Sequence, residues 1–466
     1  MSVVDDLTRF VLATSFDDLS SRAVDQLKIR VLDSLGCAIG AVDATPVRLV
    51  YDAIAEFGGN PLCTVLGLGR SAPDRAALAN GFLVRYLDFN DSYLAPGETC
   101  HPSDNLAAVL AGWECGDGDG PALLTALAVA YQVQCRLADE APVRARGFDH
   151  VTHLTFSAAA GVAKALGLDL EQTANAIAIA GTAFHALRVT RTGRLSHWKG
   201  LAAPQATAAA TWAAFLARRG ITGPAEVFEG AKGFMDTISG RFTIQWADEK
   251  PDRVERTVLK RYNAEVHSQS AIEALLELRE RDGFTGSDVE RIELETFDVA
   301  YDIIGGGAEG DKTRVRTKEE ADHSLPYLLA VAALDGQVLP AQYAPERIAA
   351  DDVQQLLRRV HIHPADDLSH LFPDHHACRL TVRLRDGRSL TADKRDYEGF
   401  HTRPMSWDTV TEKFTRLAEP VLGQPATADV AERVRQLDDA SRADVTSLLA
   451  DLNGAIARHL GREDRP

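Results

Sequence analysis

Apolar residues recur at helical spacing near the start of the chain, at Val24, Leu27, Val31, Leu35 and Ile39. A period of three to four residues is typical of a helix with one buried face. Thr45-Pro46 predicts the start of the next helix and Gly58-Gly59 its end, because proline is favoured in the first helical turn and glycine after the last. The segment 105–219 is rich in alanine, whose small side chain lets helices approach closely. We therefore predict a helical domain over residues 1–257.

After residue 258 the pattern changes to one in which apolar and polar residues alternate. The clearest case runs from Cys378 to Leu384 and is followed by Asp386-Gly387, a pair that favours a tight hairpin turn. Shorter alternating runs occupy 291–295 and 360–363. One apolar face and one charged face predict an antiparallel sheet with one side in solvent.

A helix is predicted between these strands, from Lys318 to Leu334. Thr317 and Glu320 form the sequence pattern of a capping box at its start. Pro326 lies inside the predicted helix and is expected to kink it, because proline has no backbone N–H to donate. Residues 258–402 are therefore predicted to form a separate α+β domain.

Helical periodicity returns after Ser406 and continues near Leu448 and Leu452. We predict that this tail, residues 403–466, packs with the first helical segment. The predicted fold is mostly α with an α+β part. A large all-helical domain is formed by 1–257 and 403–466, and a smaller α+β domain is inserted at 258–402.

The chain of 466 residues has a formal net charge of −17 at pH 7. A surface this acidic repels phosphate groups, so neither nucleic acid nor an anionic membrane is an expected partner. No apolar stretch reaches the about 20 residues of a membrane helix, and no signal peptide is evident. Six scattered cysteines are typical of reduced thiols, which predicts a cytoplasmic protein. An anionic substrate would need a local group of cations.

Two sequence patterns could suggest a metal ion or a nucleotide cofactor. His150 and His153 are three residues apart, but no third ligand has a helpful spacing, and two histidines alone rarely hold zinc. The run from Gly67 to Ala72 fits the glycine pattern of a dinucleotide-binding loop, but the alternating strands and helices of such a fold do not follow. We therefore expect neither a metal ion nor an organic cofactor.

The densest group of candidate catalytic side chains lies in residues 85–105. Four polar residues surround a loop rich in proline and glycine: Asp88, Asp91, Ser92 and His101. Ser103 or Asp104 is expected to cap a helix that begins near Asn105. Carboxylates and an imidazole beside a helix N-terminus could transfer protons next to an anion. The same residues could equally be solvated acids on a capped surface loop.

Two later segments carry histidine and lysine. His150 and His153 would share one face at a helix start, although one of the two is expected to be structural. His197 and Lys199 precede an alanine-rich helix, where a buried ammonium group needs an anionic partner. The alternative for Lys199 is an ammonium group that reaches solvent from a helix end.

Further candidates lie near the predicted domain junction, which is a favoured position for a pocket. Lys260 and Arg261 follow the first helical domain directly. His323 and Tyr327 lie near the capped start of the predicted helix in the α+β domain. Ordinary polar packing between domains is the alternative for all four residues.

Five separated motifs, in this order, resemble those of the MmgE/PrpD family: LDFNDS…HPSDN, GFDHVTH, SHWKG, LKRYNAEVHSQ and ADHSLPY. The resemblance covers about residues 5–420. Members of this family include 2-methylcitrate dehydratases, cis-aconitate decarboxylases and an iminodisuccinate epimerase. The resemblance implies a large helical domain with a smaller α+β lid, a homodimer, and catalysis without a metal ion or organic cofactor.

The resemblance also implies an active site at the cleft between the two domains. The implied catalytic residues are Asp88, Ser92, His101, His150, Lys199, Lys260 and Tyr327, with His153 as the alternative to His150. Their neighbours in the motifs that are expected to bind substrate are Asp91, His153, His197, Arg261 and His323. Ser92 stands where decarboxylase members have threonine, and the loop to His101 is longer than in that branch. Asn263 stands where many members have proline. These departures disfavour a decarboxylase.

The function implied by the resemblance is dehydration of a small tricarboxylate, with 2-methylcitrate as the first candidate. Removing a proton beside a carboxylate adds negative charge, which the two implied lysines would stabilise. The hypothesis assigns proton abstraction to His101 or Asp88 and protonation of the leaving hydroxyl to His150 or Tyr327.

Three alternatives stay open at this point. A cis-aconitate decarboxylase and an iminodisuccinate-type epimerase would also begin with chemistry at a carbon beside a carboxylate. A tricarboxylate-binding protein would need the cations but not Asp88, His101 and His150. All three of these side chains are present, which favours an enzyme.

Overall fold

The computed structural model describes residues 2–462, which divide into two compact units. The first contains the described parts of 1–188, 200–257 and 406–466. The second contains Val189–Lys199 and Val258–Met405. The sequence analysis had assigned 189–199 to the helical domain, whereas the structure groups this segment with the second unit. The predicted mostly-α fold with an α+β part is confirmed.

Along the described residues, the α-helices are α1 (Val3–Ala13), α2 (Ser21–Gly40), α3 (Thr45–Phe57), α4 (Pro73–Tyr86), α5 (Leu106–Glu114), α6 (Gly120–Glu140), α7 (Val151–Leu166), α8 (Leu170–Ala183), α9 (Trp198–Ala217), α10 (Gln269–Asp282), α11 (Asp298–Ala300), α12 (Lys318–Ala321), α13 (Leu325–Asp335), α14 (Pro345–Ile348), α15 (Asp351–Leu356), α16 (Asp366–Ser369), α17 (Trp407–Leu422), α18 (Gln424–Arg435) and α19 (Arg442–His459). The strands are β1 (Cys63–Val65), β2 (Gly69–Ser71), β3 (Tyr93–Ala95), β4 (Glu98–Cys100), β5 (Val289–Thr296), β6 (Val360–Pro364), β7 (Cys378–Leu384) and β8 (Ser389–Lys394). Within residues 2–462, no helix combines the length and the hydropathy that crossing a membrane requires.

The core of the first unit forms around α7, which is buried along almost its whole length. Helices α5, α6 and α8 pack against it. At Gly161 of α7, an added Cβ would lie only 2.8 Å from a methyl carbon of Val109 and 2.9 Å from the Cβ of Ala130. Small residues therefore allow the close helix approach that the alanine-rich sequence predicts.

Within the first unit, the C-terminal tail packs with the N-terminal helices through α17, which lies against α2. A buried ion pair joins the two helices, with Lys413 Nζ 2.5 Å from an Asp33 carboxylate oxygen. Lys413 also donates to the backbone carbonyl of Phe89 at 2.8 Å. That carbonyl lies in the loop after α4, so the pair links the tail to the segment that holds Asp88 and Asp91.

The first unit is not entirely helical, because it contains two short antiparallel strand pairs, β1–β2 and β3–β4. Gly67, with a φ of 78°, lies in the turn between β1 and β2. The glycine-rich run 67–72 is therefore a hairpin and not the loop between a strand and a helix that binds a dinucleotide.

The second unit is built on a four-stranded sheet with the order β6-β5-β7-β8. The hairpin β7–β8, which turns at Asp386-Gly387, is confirmed. The prediction of a purely antiparallel sheet was wrong, because β5 and β6 are parallel. Helices α11 to α15 lie between these two strands in the chain and provide the crossover that a parallel pair requires.

The predicted helix from Lys318 to Leu334 is two helices, α12 and α13, separated by three residues. The predicted capping box of Thr317 and Glu320 is confirmed at the start of α12. The Ser324 hydroxyl accepts from the backbone N–H of Tyr327 and caps α13. Pro326 lies in the first turn of α13, where a missing N–H costs nothing, so it starts a helix instead of kinking one.

Candidate functional site

In the first unit, the loop after α4 places Asp88 in an unusual backbone conformation. Its φ of 56° lies in the left-handed region, which costs a non-glycine residue about 1 kcal/mol or more. Arg85, in the last turn of α4, donates to Asp88 at 2.7 Å and to Asn90 at 3.3 Å. A second guanidinium nitrogen of Arg85 lies 3.8 Å from Asp104. This buried arginine holds the loop in place.

The predicted cap of the helix near Asn105 is absent. A short 3-10 turn precedes α5, and neither Ser103 nor Asp104 caps it. Instead, the Asn90 side chain donates to the Ser103 hydroxyl at 2.9 Å and to Asp104 at 3.2 Å. These side chains therefore form hydrogen bonds within the loop and not with the end of α5, because the buried polar groups of the loop need partners.

Asp91 is fully buried beneath this loop. Its carboxyl group accepts from the Ser103 backbone N–H at 3.0 Å and from the Tyr131 hydroxyl at 2.8 Å. Burial raises the pKa of Asp91, and these hydrogen bonds oppose the rise only in part. Asp91 therefore holds the backbone of this loop in position.

The imidazole of His101 is oriented by the backbone of the same loop. Its Nδ1 lies 2.7 Å from the carbonyl oxygen of Asp91 and 3.1 Å from the Ser92 hydroxyl. A carbonyl oxygen can only accept a hydrogen bond, so Nδ1 carries the proton. In a neutral ring, the lone pair is therefore on Nε2, the nitrogen that can act as a base.

His150 lies beside His101 but has a different kind of partner. The two rings are 5.1 Å apart between centroids, edge to face. Nδ1 of His150 is 3.2 Å from a carboxylate oxygen of Asp149, whose other oxygen lies 3.7 Å from Arg188. An adjacent carboxylate stabilises the protonated imidazolium. Within one unit, the structure thus brings together one histidine held by a carbonyl and one held by a carboxylate.

His153, the alternative to His150, is directed elsewhere. Its Nε2 donates to the backbone carbonyl of Ala141 at 2.8 Å, and the side chain is fully buried. Burial lowers the pKa of His153 to about 4. A buried, neutral imidazole bound to a backbone carbonyl matches the structural histidine that the sequence analysis expected in this motif.

In the second unit, Asp322 collects three nitrogen groups. Lys199 Nζ and His323 Nδ1 lie 2.6 and 2.8 Å from one carboxylate oxygen. Lys318 Nζ lies 2.7 Å from the other oxygen. Burial alone would raise the pKa of Asp322, but the two lysines and His323 hold it well below its usual range. The ionised carboxylate therefore fixes the positions of two ammonium groups.

The remaining predicted residues of the second unit have varied surroundings. Lys260 is fully buried, and Arg261 lies 3.5 Å from a carboxylate oxygen of Glu398. His197 is exposed. Tyr327 belongs to the hydrophobic core, donates to the backbone carbonyl of Gln342, and has a pKa raised by burial. The structure thus brings Lys199 and His323 together and holds Tyr327 as a core residue.

Three residues of these arrangements were missed from the sequence. Arg85 lies two residues before the first motif, Asp149 is the neighbour of His150, and Lys318 lies four residues before Asp322. For Lys318 a signal existed in the spacing, since residues of opposite charge at i,i+4 can pair on a helix. No local sequence pattern indicates the role of Arg85, because its hydrogen bonds to Asp88 and Asn90 depend on how the following loop folds back.

Several curated proteins are similar to this chain. The 2-methylcitrate dehydratase of Salmonella typhimurium is 28% identical over 427 residues, which is 85% of this chain and 86% of that protein. The 2-methylcitrate dehydratase of Escherichia coli K12 is 30% identical over 76% of this chain and 75% of its own length. The alkylcitrate dehydratase phiI of a fungal species is 31% identical over 84% of this chain and 82% of its own length.

Two family profiles account for nearly all of the chain. The MmgE/PrpD N-terminal domain matches residues 5–247, and the MmgE/PrpD C-terminal domain matches residues 262–463. Both matches agree with the motifs that carry the resemblance in the sequence. The chain is therefore an enzyme of the MmgE/PrpD family.

Proposed function

We propose that this enzyme is a hydro-lyase that removes water from a small tricarboxylate, with 2-methylcitrate as the first candidate. The names of the similar proteins support dehydration as the reaction class, since they are 2-methylcitrate and alkylcitrate dehydratases. The side chains of the two units also support dehydration, because they include a group that can accept a proton, a group that can donate one, and cations.

The observation that carries the proposal is the pair of imidazoles, His101 and His150, 5.1 Å apart. Dehydration needs one group that accepts a proton from carbon and one that donates a proton to the departing hydroxyl. The backbone carbonyl of Asp91 suits a neutral His101 with its lone pair on Nε2. The Asp149 carboxylate suits a protonated His150. The base is therefore His101 and the acid is His150.

The reaction then follows in one balanced sequence. His101 takes a proton from the carbon beside a substrate carboxylate, and the electron pair of that bond forms the new double bond. The bond from the neighbouring carbon to its hydroxyl breaks. His150 gives its proton to this hydroxyl, which leaves as water. Asp88 and Ser92 belong to the same loop as His101, and the proposal places them on the same side of the substrate as His101.

Charge stabilisation is assigned to the lysines. Loss of the proton places a second negative charge next to a carboxylate, and fixed cations lower the energy of that state. Lys199 is held at 2.6 Å by Asp322, so its position is set before substrate binds. Lys260, which is fully buried, is the second cation of the proposal. Tyr327 has no role in it, because its hydroxyl already donates to Gln342 within the core.

These groups provide acid, base and cations, so the proposal includes no metal ion or organic cofactor. A homodimer and a cytoplasmic location remain predictions from the sequence. Activity in the presence of a metal chelator is part of the test.

The proposal is tested by following the ultraviolet absorbance of the new conjugated alkene. Purified enzyme is given each 2-methylcitrate stereoisomer, and citrate, with and without a chelator. We expect absorbance to rise with at least one isomer and to be unaffected by the chelator. His101→Asn keeps an N–H donor for the Asp91 carbonyl but removes the base, so kcat should fall about 100- to 10,000-fold.

The matched control is His370→Asn. His370 also directs Nδ1 to a backbone carbonyl, that of Asp366, but lies exposed at the end of α16. Its replacement should leave kcat unchanged. Flat absorbance with every isomer, together with carbon dioxide release from cis-aconitate, would replace dehydration by decarboxylation.

A further inference from the structure

Two cysteine side chains of the first unit lie in contact and have no part in the proposed reaction. Cys63 is in β1, and Cys115 follows the last residue of α5. Their sulfur atoms are 3.5 Å apart, although the residues are 52 positions apart in the sequence. Both are thiols and not part of a disulfide. The sulfur atoms of a disulfide are about 2.05 Å apart, so an approach of about 1.5 Å would join them.

The neighbours of the two cysteines hold this contact in place. The Glu114 carboxylate accepts from the Thr64 backbone N–H and from the Thr64 hydroxyl, both at 2.8 Å. Glu114 directly precedes Cys115, and Thr64 directly follows Cys63. On β2, the guanidinium of Arg70 lies 3.4 Å from the same carboxylate. The end of α5 is thus tied to β1, and the native fold itself brings the two sulfur atoms together.

The two thiols differ in exposure and in acidity. Cys63 is fully buried and donates to the Ala111 carbonyl at 3.3 Å, whereas Cys115 is partly exposed. The contact with Cys63 lowers the pKa of Cys115, and nearby arginines add to this effect, although burial opposes it. The same contact and burial raise the pKa of Cys63. Since the thiolate is the reactive form of cysteine, Cys115 is the sulfur that meets a dissolved oxidant first.

We propose that Cys63 and Cys115 are a redox-active pair, in which a peroxide converts the two thiols to a disulfide that joins β1 to the end of α5. The Cys115 sulfur attacks one oxygen of hydrogen peroxide and becomes a sulfenic acid, while the O–O bond breaks and the other oxygen leaves as water with the Cys115 proton. The Cys63 sulfur then attacks the Cys115 sulfur, the S–O bond breaks, and the hydroxide leaves as water with the Cys63 proton. Two thiols and one peroxide thus give one disulfide and two water molecules, and two electrons pass from sulfur to oxygen.

The disulfide closes a loop of the chain that contains α4 and His101. Closing such a loop removes conformational freedom from the unfolded chain, so the oxidised enzyme should be more stable than the reduced one. The inference does not depend on the proposed function, because neither cysteine takes part in dehydration and the test measures no turnover.

The test follows the cysteines of the reduced, full-length wild type by mass spectrometry. The enzyme is treated with hydrogen peroxide at neutral pH, the remaining thiols are blocked with iodoacetamide, and the peptides are mapped. We expect a disulfide between Cys63 and Cys115 of one chain, which dithiothreitol reverses. The melting temperature of the oxidised enzyme should rise by about 2–5 °C. The absence of this disulfide would overturn the proposal, and a fall in melting temperature would show that the native fold does not accommodate the bond.

Cys100 and Cys135 provide a matched control pair. They pack together in the same unit, both are fully buried, and burial raises the pKa of both. Both should remain thiols at the peroxide concentration that oxidises the other pair. Loss of all four thiols at one rate would indicate oxidation of an unfolded state and would contradict a reactive pair in the native enzyme.

Two variants separate the roles of the sulfur atoms. In Cys63→Ser no disulfide can form, so Cys115 should accumulate as a sulfenic acid that dimedone labels. In Cys115→Ser, Cys63 should react at least about tenfold more slowly than Cys115 does in the wild type, because Cys63 is buried and protonated. Equal rates would overturn the assigned order of attack. Thermal melting of the reduced variants checks their fold, and the mapping of the wild type decides the proposal if either variant does not fold.

Discussion

The two units differ in how they hold their polar residues. In the first, His101 binds a backbone carbonyl of its own loop, and His150, at the start of α7, binds a carboxylate. In the second, two lysines and a histidine converge on the single carboxylate of Asp322. The first arrangement suits groups that exchange protons, and the second suits groups whose charge must stay constant.

This difference follows from the physical chemistry of the side chains. An imidazole changes its charge near neutral pH, so a small difference in its partner decides whether it accepts or donates a proton. A lysine ammonium group keeps its charge, and a buried carboxylate compensates the cost of removing it from water. The comparison therefore predicts that variants of the second unit abolish charge stabilisation, whereas variants of the first alter the dependence of the rate on pH.

Among the variants that separate the two units, Lys199→Ala has the largest expected effect. Removing this cation should lower kcat about 1,000-fold, the upper range for the loss of one fixed electrostatic group. Asp322 keeps Lys318 and His323, so the melting temperature should change little. Lys164→Ala, which removes a half-buried lysine bound to the Leu12 carbonyl, is the control. Retained turnover in Lys199→Ala would remove Lys199 from the chemistry and leave Lys260 as the candidate cation of the second unit.

A smaller effect is expected from Asp149→Asn, which sharpens the distinction between the two histidines. The neutral amide no longer stabilises a protonated His150, so kcat should fall about tenfold at neutral pH. The alkaline limb of the kcat profile should move to lower pH, and Asp149→Glu should partly restore it. Among the groups that face His150 in this unit are Asp149, His101 and, through Asp149, Arg188. A uniform loss at every pH would indicate a merely structural aspartate.

The smallest effect concerns stability and not catalysis. Burial lowers the pKa of His153 from 6.5 to about 4, so the unfolded chain takes up a proton at a higher pH than the native protein does. The free energy of unfolding should therefore fall as pH decreases from 6.5 towards 4, by about 1.4 kcal/mol per pH unit from this residue. His153→Gln keeps a donor for Ala141 and should make the fall shallower.

The same pH dependence of stability can be measured for a buried histidine of the second unit. His376 is also fully buried, with its Nδ1 at 2.8 Å from the Ser270 hydroxyl, and burial lowers its pKa to about 3. Scanning calorimetry at pH 5 and 7 on His153→Gln and His376→Gln would show which unit limits acid stability. If neither variant changes the pH dependence, other groups cause the acid unfolding.

Much of the fold could be predicted from local patterns. The helical periodicity of the first half, the hairpin at Asp386-Gly387 and the capping box at Thr317 are confirmed, because each depends on residues only a few positions apart. The helix from Lys318 to Leu334 was predicted wrongly as continuous. There, Ser324 and Pro326 were the local signal of a new helix start, since serine is a favoured N-cap residue and proline is favoured in the first turn.

By itself, the sequence determined the family, the fold class and the residue types available for acid–base chemistry, since motifs and periodicity are properties of the chain. Only the tertiary structure decided that His150 lies beside His101 while His153 is directed to Ala141. It also decided that Asp322 holds Lys199, which is 123 positions away. Such contacts depend on where the chain returns in space, and no local pattern of apolar and polar residues encodes that return.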